Sequence, residues 1–258
     1  MEHLDSSKLL KIKWNIPPLQ HNIPPTEPFN ADMKIARYFT YEKLNKMINI
    51  PGIWFSNSKN LSDNLERALP KKYLERFELN DTAEAYSKIS KFKNLYISSY
   101  ISCWTEYTNE NYALWEIYDP QKNGACLITT IGKLLEQFEK SFVVNDYIVT
   151  SKVEYINDNT KAEPNSIFLS DENESDYAPI HINLSEKYKI EPYEYEKEIR
   201  FICYSKLNKP GFLFETDKIN DWVDEVIFNP FYSNARNLLI NYIDEEKIKK
   251  SIINETNK

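Results

Sequence analysis

The chain has 258 residues and a mass of 30.6 kDa, with 41% hydrophobic and 14% aromatic residues, enough to bury a sizeable core. Charged residues make up 28% and the formal net charge is -7, which excludes a general attraction to nucleic-acid phosphates or anionic membranes. No segment approaches the roughly 18 uninterrupted apolar residues that span a bilayer, and "MEHLDSSKLLKIKWN" has charges where a signal peptide needs an apolar run, so the expected location is cytoplasmic with no membrane partner.

Residues 14 to 30, "WNIPPLQHNIPPTEPFN", carry five prolines and no helical or strand period. Residues 1–33 are therefore expected to form a Pro-rich extended arm, and 34–258 a single α+β domain. The domain opens with a strand around Ala36 to Phe39, a helix Tyr41 to Ile48 capped by Thr40, a turn at Pro51-Gly52 and a strand Ile53 to Ser56. A polar loop from Ser58 leads into helical sequence up to about Lys93, after which "LYISSYISCWTE" alternates and β-branches like a central strand. In "NENYALWEIYDP", Tyr112, Trp115 and Tyr118 recur every three residues, and Pro120 stops this short helix. The Asn123-Gly124 turn delivers the strand "ACLITT", "IGKLLEQFEKSF" is an amphipathic helix, and "YIVTSKVEYIND" is a further strand.

Residues 157 to 183 include "SDENESD", a solvated acidic loop without the glycine and closing glutamate of a calcium loop. "EPYEYEKEIRFICYSK" reads as a strand with Glu194, Glu196, Glu198 and Arg200 on one side and Ile199, Phe201 and Cys203 on the core side. Strands near Phe212 to Glu215 and Trp222 to Phe228 follow, then helical sequence from Ser233 to about Glu255. Without regular βαβ alternation, the order predicts an α+β fold with a mixed, largely antiparallel sheet and flanking helices.

Four glycines, none in a GxGxxG, GxxxxGK[ST] or GxSxG pattern, exclude a Rossmann nucleotide site, a P-loop and a nucleophile elbow. Cys103, Cys126 and Cys203 lack a CxxC spacing and sit in apolar strand-like contexts, so they read as reduced core residues. The three histidines are scattered, and no metal is expected.

"ARYFTYEKLNKMINIPGIWFSNSKNLSDNLE" resembles the opening of the bacterial domain of unknown function 2971 family: an aromatic-Arg-Tyr strand, a helix, an apolar strand and an Asn-Asp-Pro-x-Glu loop. "SCWTE", "ALWEIYDPQKNGACL", "YEYEKEIRFI" and "VDEVIFNP" resemble, in the same order, the family's Cys-Phe-Ser strand, its Met-Trp-x-His-Tyr helix with a following glycine, its Tyr-Glu-x-Glu-x-Arg strand and its closing Ile-x-x-Gly-Pro strand. The resemblance runs over roughly residues 34 to 231 and departs from the pattern at Ser62-Asp63-Asn64, Ile117 and Asn229.

That layout is in turn similar to ADP-ribosyltransferase folds, in which NAD is clamped between sheets without a glycine-rich loop. The similarity implies NAD as a substrate cleaved at its nicotinamide-ribose bond by a toxin or phage-defence type of effector. It further implies a protein or nucleic-acid acceptor and an antitoxin or accessory partner, and leaves the oligomeric state open. In that reading Glu198 stabilises the oxocarbenium-like state, and Glu196 orients or deprotonates an acceptor. Arg37 holds a phosphate or ribose, with Tyr38 beside it on the opposite strand face. Ser102, Thr105, Trp115 and Tyr118 would wall the nicotinamide.

Plainer readings fit the same residues. Glu196 and Arg200 suit a solvated strand face with cross-strand ion pairs, Trp115 and Tyr118 suit a core, and Arg37 suits a pair with Glu66 or Glu198. A metal nuclease built on Asp63, Glu66, Glu196 and Glu198 fits poorly because Lys197 would face away. A non-enzymatic binding module using the eighteen tyrosines and five tryptophans is the stronger rival.

Overall fold

The computed structural model describes residues 29–61, 98–140, 147–157, 188–205, 209–231 and 234–253. Residues 1–28 of the expected arm, the helical sequence up to Lys93 and the "SDENESD" loop lie outside the described residues.

Strand β1 (Lys34–Phe39), helix α1 (Tyr41–Asn49) and strand β2 (Gly52–Asn57) form the expected opening unit. Thr40 caps α1 by accepting the Lys43 N–H, and Leu44 and Met47 bury the helix's inner face. Strand β3 (Ser98–Thr105) comes next, then helix α2 (Tyr112–Tyr118), where the Asn111 side chain accepts the Ala113 N–H at 2.9 Å. Strand β4 (Ala125–Thr130) enters through Gly124, where an added Cβ would meet the Phe39 carbonyl oxygen at 1.9 Å, so only glycine fits this close approach. Helix α3 (Ile131–Lys140) presents Ile131, Leu134, Leu135 and Phe138 to the core.

The C-terminal half supplies β5 (Tyr147–Lys152), β6 (Glu154–Ile156), β7 (Tyr188–Ile190), β8 (Glu198–Ser205), β9 (Gly211–Glu215) and helix α4 (Ile219–Trp222). Strand β10 (Glu225–Phe228), helix α5 (Asn234–Leu239) and the short β11 (Ile248–Lys249) complete it. Among the described residues the main sheet runs β11-β10-β4-β1-β3-β2-β9, with β8 also on β3 and β5 on β8. Every pairing in it is antiparallel except β10 with β11, so the fold is α+β with a largely antiparallel sheet. β6 and β7 form a separate parallel pair.

Both faces of the sheet are covered. Ile35, Phe39, Phe55, Trp104, Phe201 and Val226 join α1, α3, α4 and α5 in the larger core, and Ala36, Tyr38, Cys126 and Ile128 pack with Leu114 and Trp115 of α2 on the other side. Burial on both faces explains the near-continuous apolar run of β4.

Four expectations are corrected. The strand expected over "YIVTSKVEYIND" is two strands, parted at Val153, whose buried side chain and N–H bond to the Glu198 carbonyl turn the chain. Glu191–Glu196 is a 3-10 helix and not a strand, because Pro192 lacks a ladder N–H and fixes φ at the first turn. Lys197 then adopts φ 42 before β8 begins, so the expected alternation holds for Glu198 and Arg200 and fails for Glu194 and Glu196. Trp222 closes α4 instead of opening β10: with Ile219 three residues earlier, it buries one helix face. The C-terminal helix stops at Leu239 and is followed by a 3-10 turn, Glu245–Lys247, held where Asn220 donates to the Asp244 carboxylate and accepts the Asp244 N–H.

Phe138 is fully buried, with Phe55, Phe201 and Phe214 ring centroids at 5.3, 5.4 and 5.2 Å. Phe138→Ala is expected to cost about 3–5 kcal/mol, read as a lower urea midpoint at unchanged m. A cost under about 1 kcal/mol would show that this aromatic layer is not the centre of the core.

Candidate functional site

β8 pairs with β3 along its whole length, from Ser98↔Ser205 to Thr105↔Glu198. The opposite edge of β3 is divided. β2 pairs with Tyr100 and Ile101, whereas β1 touches the far end through one pair, Ala36↔Thr105. Among the described residues, Ser102, Cys103 and Trp104 have no strand neighbour on that edge.

A hollow of about 100 Å³ lies where β1 and β3 part, and it is lined by Ala36, Arg37, Tyr38, Lys43, Cys103, Trp104, Thr105, Leu114, Tyr118, Glu196 and Glu198. Strand alternation puts Arg37 on the face of Ile35 and Phe39, and Glu198 on the opposite face beside Thr105 and Cys103. The two side chains share one hollow because the sheet is open between their strands.

On one wall the Arg37 Nη1 donates to the Ser102 hydroxyl at 2.7 Å, and the Trp104 indole N–H donates to the same oxygen at 3.1 Å. The guanidinium lies over the Phe39 and Trp104 rings, with centroids at 5.1 and 5.8 Å. Burial pulls the Arg37 pKa down, and the Cys103, Tyr118 and Glu198 groups oppose that shift. Lys43 of α1 stands nearby, its pKa lowered by partial desolvation and by the Arg37 charge.

The other wall is a buried ionic cluster. Arg200 Nη2 donates to Glu198 Oε2 at 2.8 Å. Lys189 Nζ donates to Glu196 Oε2 at 2.7 Å and lies 3.7 Å from Glu198 Oε2. All four residues are at most 6% exposed. The Tyr118 hydroxyl reaches Glu196 Oε1 at 3.2 Å, and the Thr105 hydroxyl donates to the Glu196 carbonyl at 2.7 Å. The Tyr155 hydroxyl accepts the Glu198 N–H at 2.8 Å, which fixes the start of β8.

These surroundings separate the two carboxylates. Burial alone would raise Glu198, but the charge and hydrogen bond of Arg200, the charge of Lys189 and the Cys103 thiol more than reverse it, so its pKa lies below the ordinary value. Glu196 is raised: burial and the Glu198 charge outweigh the Lys189 and Tyr118 bonds. The two acids of one hollow are thus pushed apart, Glu198 below and Glu196 above the ordinary carboxylate value.

Arg37, Tyr38, Thr105, Tyr118, Glu196 and Glu198 thus meet at the hollow. Ser102 lies behind Arg37, fully buried. Trp115 sits in the smaller core at 1% exposure, edge-on to Tyr38 at 4.7 Å, with its indole N–H donated to Glu110. Arg37 makes its hydrogen bond to Ser102 and no ion pair with Glu198 within 4 Å; Glu66 lies outside the described residues. Cys103 corrects the expectation of three core cysteines, because Cys126 and Cys203 are buried while Cys103 is partly exposed and lines the hollow.

Sequence reasoning missed Lys189, Lys43 and Tyr155. Lys189 precedes Glu196 by seven residues, and only the 3-10 turn opened by Pro192 folds the two together. Among the described residues there is no group of three or more His, Cys, Asp or Glu side chains placed to hold a metal, and no helix long and apolar enough to cross a membrane.

A largely antiparallel α+β sheet with a charged hollow at its branch is the class that fold and site define. Residues 114–201 match the family described as "Protein of unknown function (DUF2971)", a span that runs from within α2 to the first half of β8 and carries most of the hollow's second wall. The match supports the motif resemblance over that part of the chain. No curated protein and no solved structure matches, so the similarity to ADP-ribosyltransferase folds has no support from these comparisons.

The ionic cluster makes stability depend on pH with opposing signs. The depressed Glu198 contributes stability that is complete above the ordinary carboxylate range and is lost as pH falls through its lowered pKa. The raised Glu196 contributes stability present at low pH and lost as pH rises through its elevated pKa. Lys189→Met, which strands two carboxylates on one cation, is expected to cost about 3–5 kcal/mol at pH 7.5 and clearly less at pH 5. An equal loss at both pH values, measured by urea unfolding, would contradict this electrostatic role.

Proposed function

We propose that the hollow takes the nicotinamide-ribose end of NAD and cleaves the bond between the two. The observation that supports this reading is the convergence of an ionised Glu198 and a phosphate-competent Arg37 on one small hollow. About 100 Å³ is well below the roughly 300–1,000 Å³ of pockets that engulf a whole drug-sized ligand, so only the reacting end enters and the remainder lies across the mouth.

In this mechanism the C1′–N bond breaks, its electron pair passes to the pyridinium nitrogen, and nicotinamide leaves neutral. The positive charge left on the ribose is stabilised by the Glu198 carboxylate, which also accepts a hydrogen bond from a ribose hydroxyl. Arg200 and Lys189 do not quench that role: they keep Glu198 ionised and fix its direction, so no reorganisation is needed when charge develops. Water or an acceptor hydroxyl attacks C1′ and loses its proton to Glu196, whose raised pKa suits a base working near neutrality. Tyr118, hydrogen-bonded to Glu196, orients that carboxylate and offers a ring face beside the reacting centre.

The purified chain with NAD is expected to release nicotinamide, followed by liquid chromatography. Glu198→Gln should lower kcat by about 10²–10³ with a small change in KM, assayed below the unfolding midpoint of the variant, which is lowered because Arg200 loses its buried partner. No release, together with no shift of the unfolding midpoint by NAD, would overturn the reading and favour a non-enzymatic binding role.

A further inference from the structure

Among the described residues, the charges around the hollow do not balance. Arg37, Lys43, Lys189 and Arg200 are cations; Glu196 and Glu198 are the carboxylates in its lining. Lys189 and Arg200 are taken up by those two carboxylates within the buried cluster. Arg37 and Lys43 are left over: among the described residues, neither has a carboxylate within 4 Å, and the one hydrogen bond of the Arg37 side chain goes to a neutral hydroxyl. A guanidinium has five N–H donors in a fixed fork, and the Ser102 bond uses one of them.

We infer that Arg37 and Lys43 together form an anion subsite at the mouth of the hollow, built for the diphosphate or terminal phosphate of the ligand. The inference deepens the reading above, because it names Lys43 as the second residue that selects a phosphorylated ligand, but the charge count behind it does not depend on NAD cleavage. The two cations line the same hollow, and the Arg37 charge disfavours the protonated form of Lys43. A dianion between them removes the repulsion and restores hydrogen bonds lost on burial. The pair also divides the work: the Arg37 fork, anchored by Ser102 and laid on the Phe39 and Trp104 rings, gives direction, and the longer, freer Lys43 gives charge. The wall opposite is closed to a phosphate, because Glu196 and Glu198 would repel it, so the anion lies at the cationic mouth and the neutral part of the ligand lies inward.

The test uses inorganic pyrophosphate as the probe, in calorimetry and in protection of Cys103 from iodoacetamide followed by mass spectrometry. Cys103 lines the hollow and is the partly exposed cysteine, so its protection reports occupancy of this site and not of another surface. Pyrophosphate is expected to bind and to slow Cys103 alkylation. Lys43→Met should weaken binding at least tenfold, and Arg37→Lys should do so with the charge retained. Higher salt should weaken binding to the unsubstituted chain more than to Lys43→Met. Absence of pyrophosphate binding, binding that leaves Cys103 unprotected, or binding unchanged by Lys43→Met would overturn the subsite. Pyrophosphate binding without nicotinamide release would leave the subsite standing and remove the NAD reading. Nicotinamide release with a KM for NAD unchanged by Lys43→Met would do the reverse.

Discussion

Everything distinctive about the site follows from how one edge of β3 is shared. A strand in the middle of a sheet normally has one neighbour on each side, each running its full length. Here β8 fills one side, while β1 and β2, tied together by α1, divide the other and, among the described residues, leave three residues of β3 between them. That interruption lets a side chain from one face of the sheet meet side chains from the other. Arg37 bonds to Ser102 at the interruption, and the hollow opens beside it.

The acidic wall is costly in the way buried charge always is. Removing two carboxylates, an ammonium and a guanidinium from water is repaid only when each finds partners at short range, and apolar replacements of such clusters are often as stable or more so. Lys189, Arg200, Tyr118, Thr105 and Cys103 supply those partners to Glu196 and Glu198. The arrangement lowers the pKa of one carboxylate and raises that of the other, the kind of division that acid-base chemistry uses.

Much of the scaffold was legible because its signals are local. Thr40 before an amphipathic run, Asn123-Gly124 before "ACLITT" and the alternation of β3 each determine their element within a few residues. Arg37 and Glu198 were legible as candidates because charged residues on strands that otherwise enter the core require an explanation. Three-dimensional facts were not legible. The turn at Pro192 was hidden by a Glu-x-Glu alternation that imitates a strand, and with it went the role of Lys189. Trp115 repeats with Tyr118 at helical spacing, yet the helix turns one ring into the core and the other hydroxyl into the hollow; the spacing is the same for both. Lys43 is one exposed lysine among many until the neighbouring strand supplies Arg37.

In the proposed reading Arg37 and Lys43 receive the anionic end of the ligand, and Glu196, Glu198 and Tyr118 meet the end that becomes electron-poor. The most direct measurement is a crystal structure of the chain with a non-cleavable carbocyclic NAD analogue. The account places the diphosphate against Arg37 and Lys43 and a ribose-ring hydroxyl against Glu198, with the nicotinamide ring within the hollow. An analogue bound elsewhere, or bound here with the diphosphate turned away from Arg37, would contradict it.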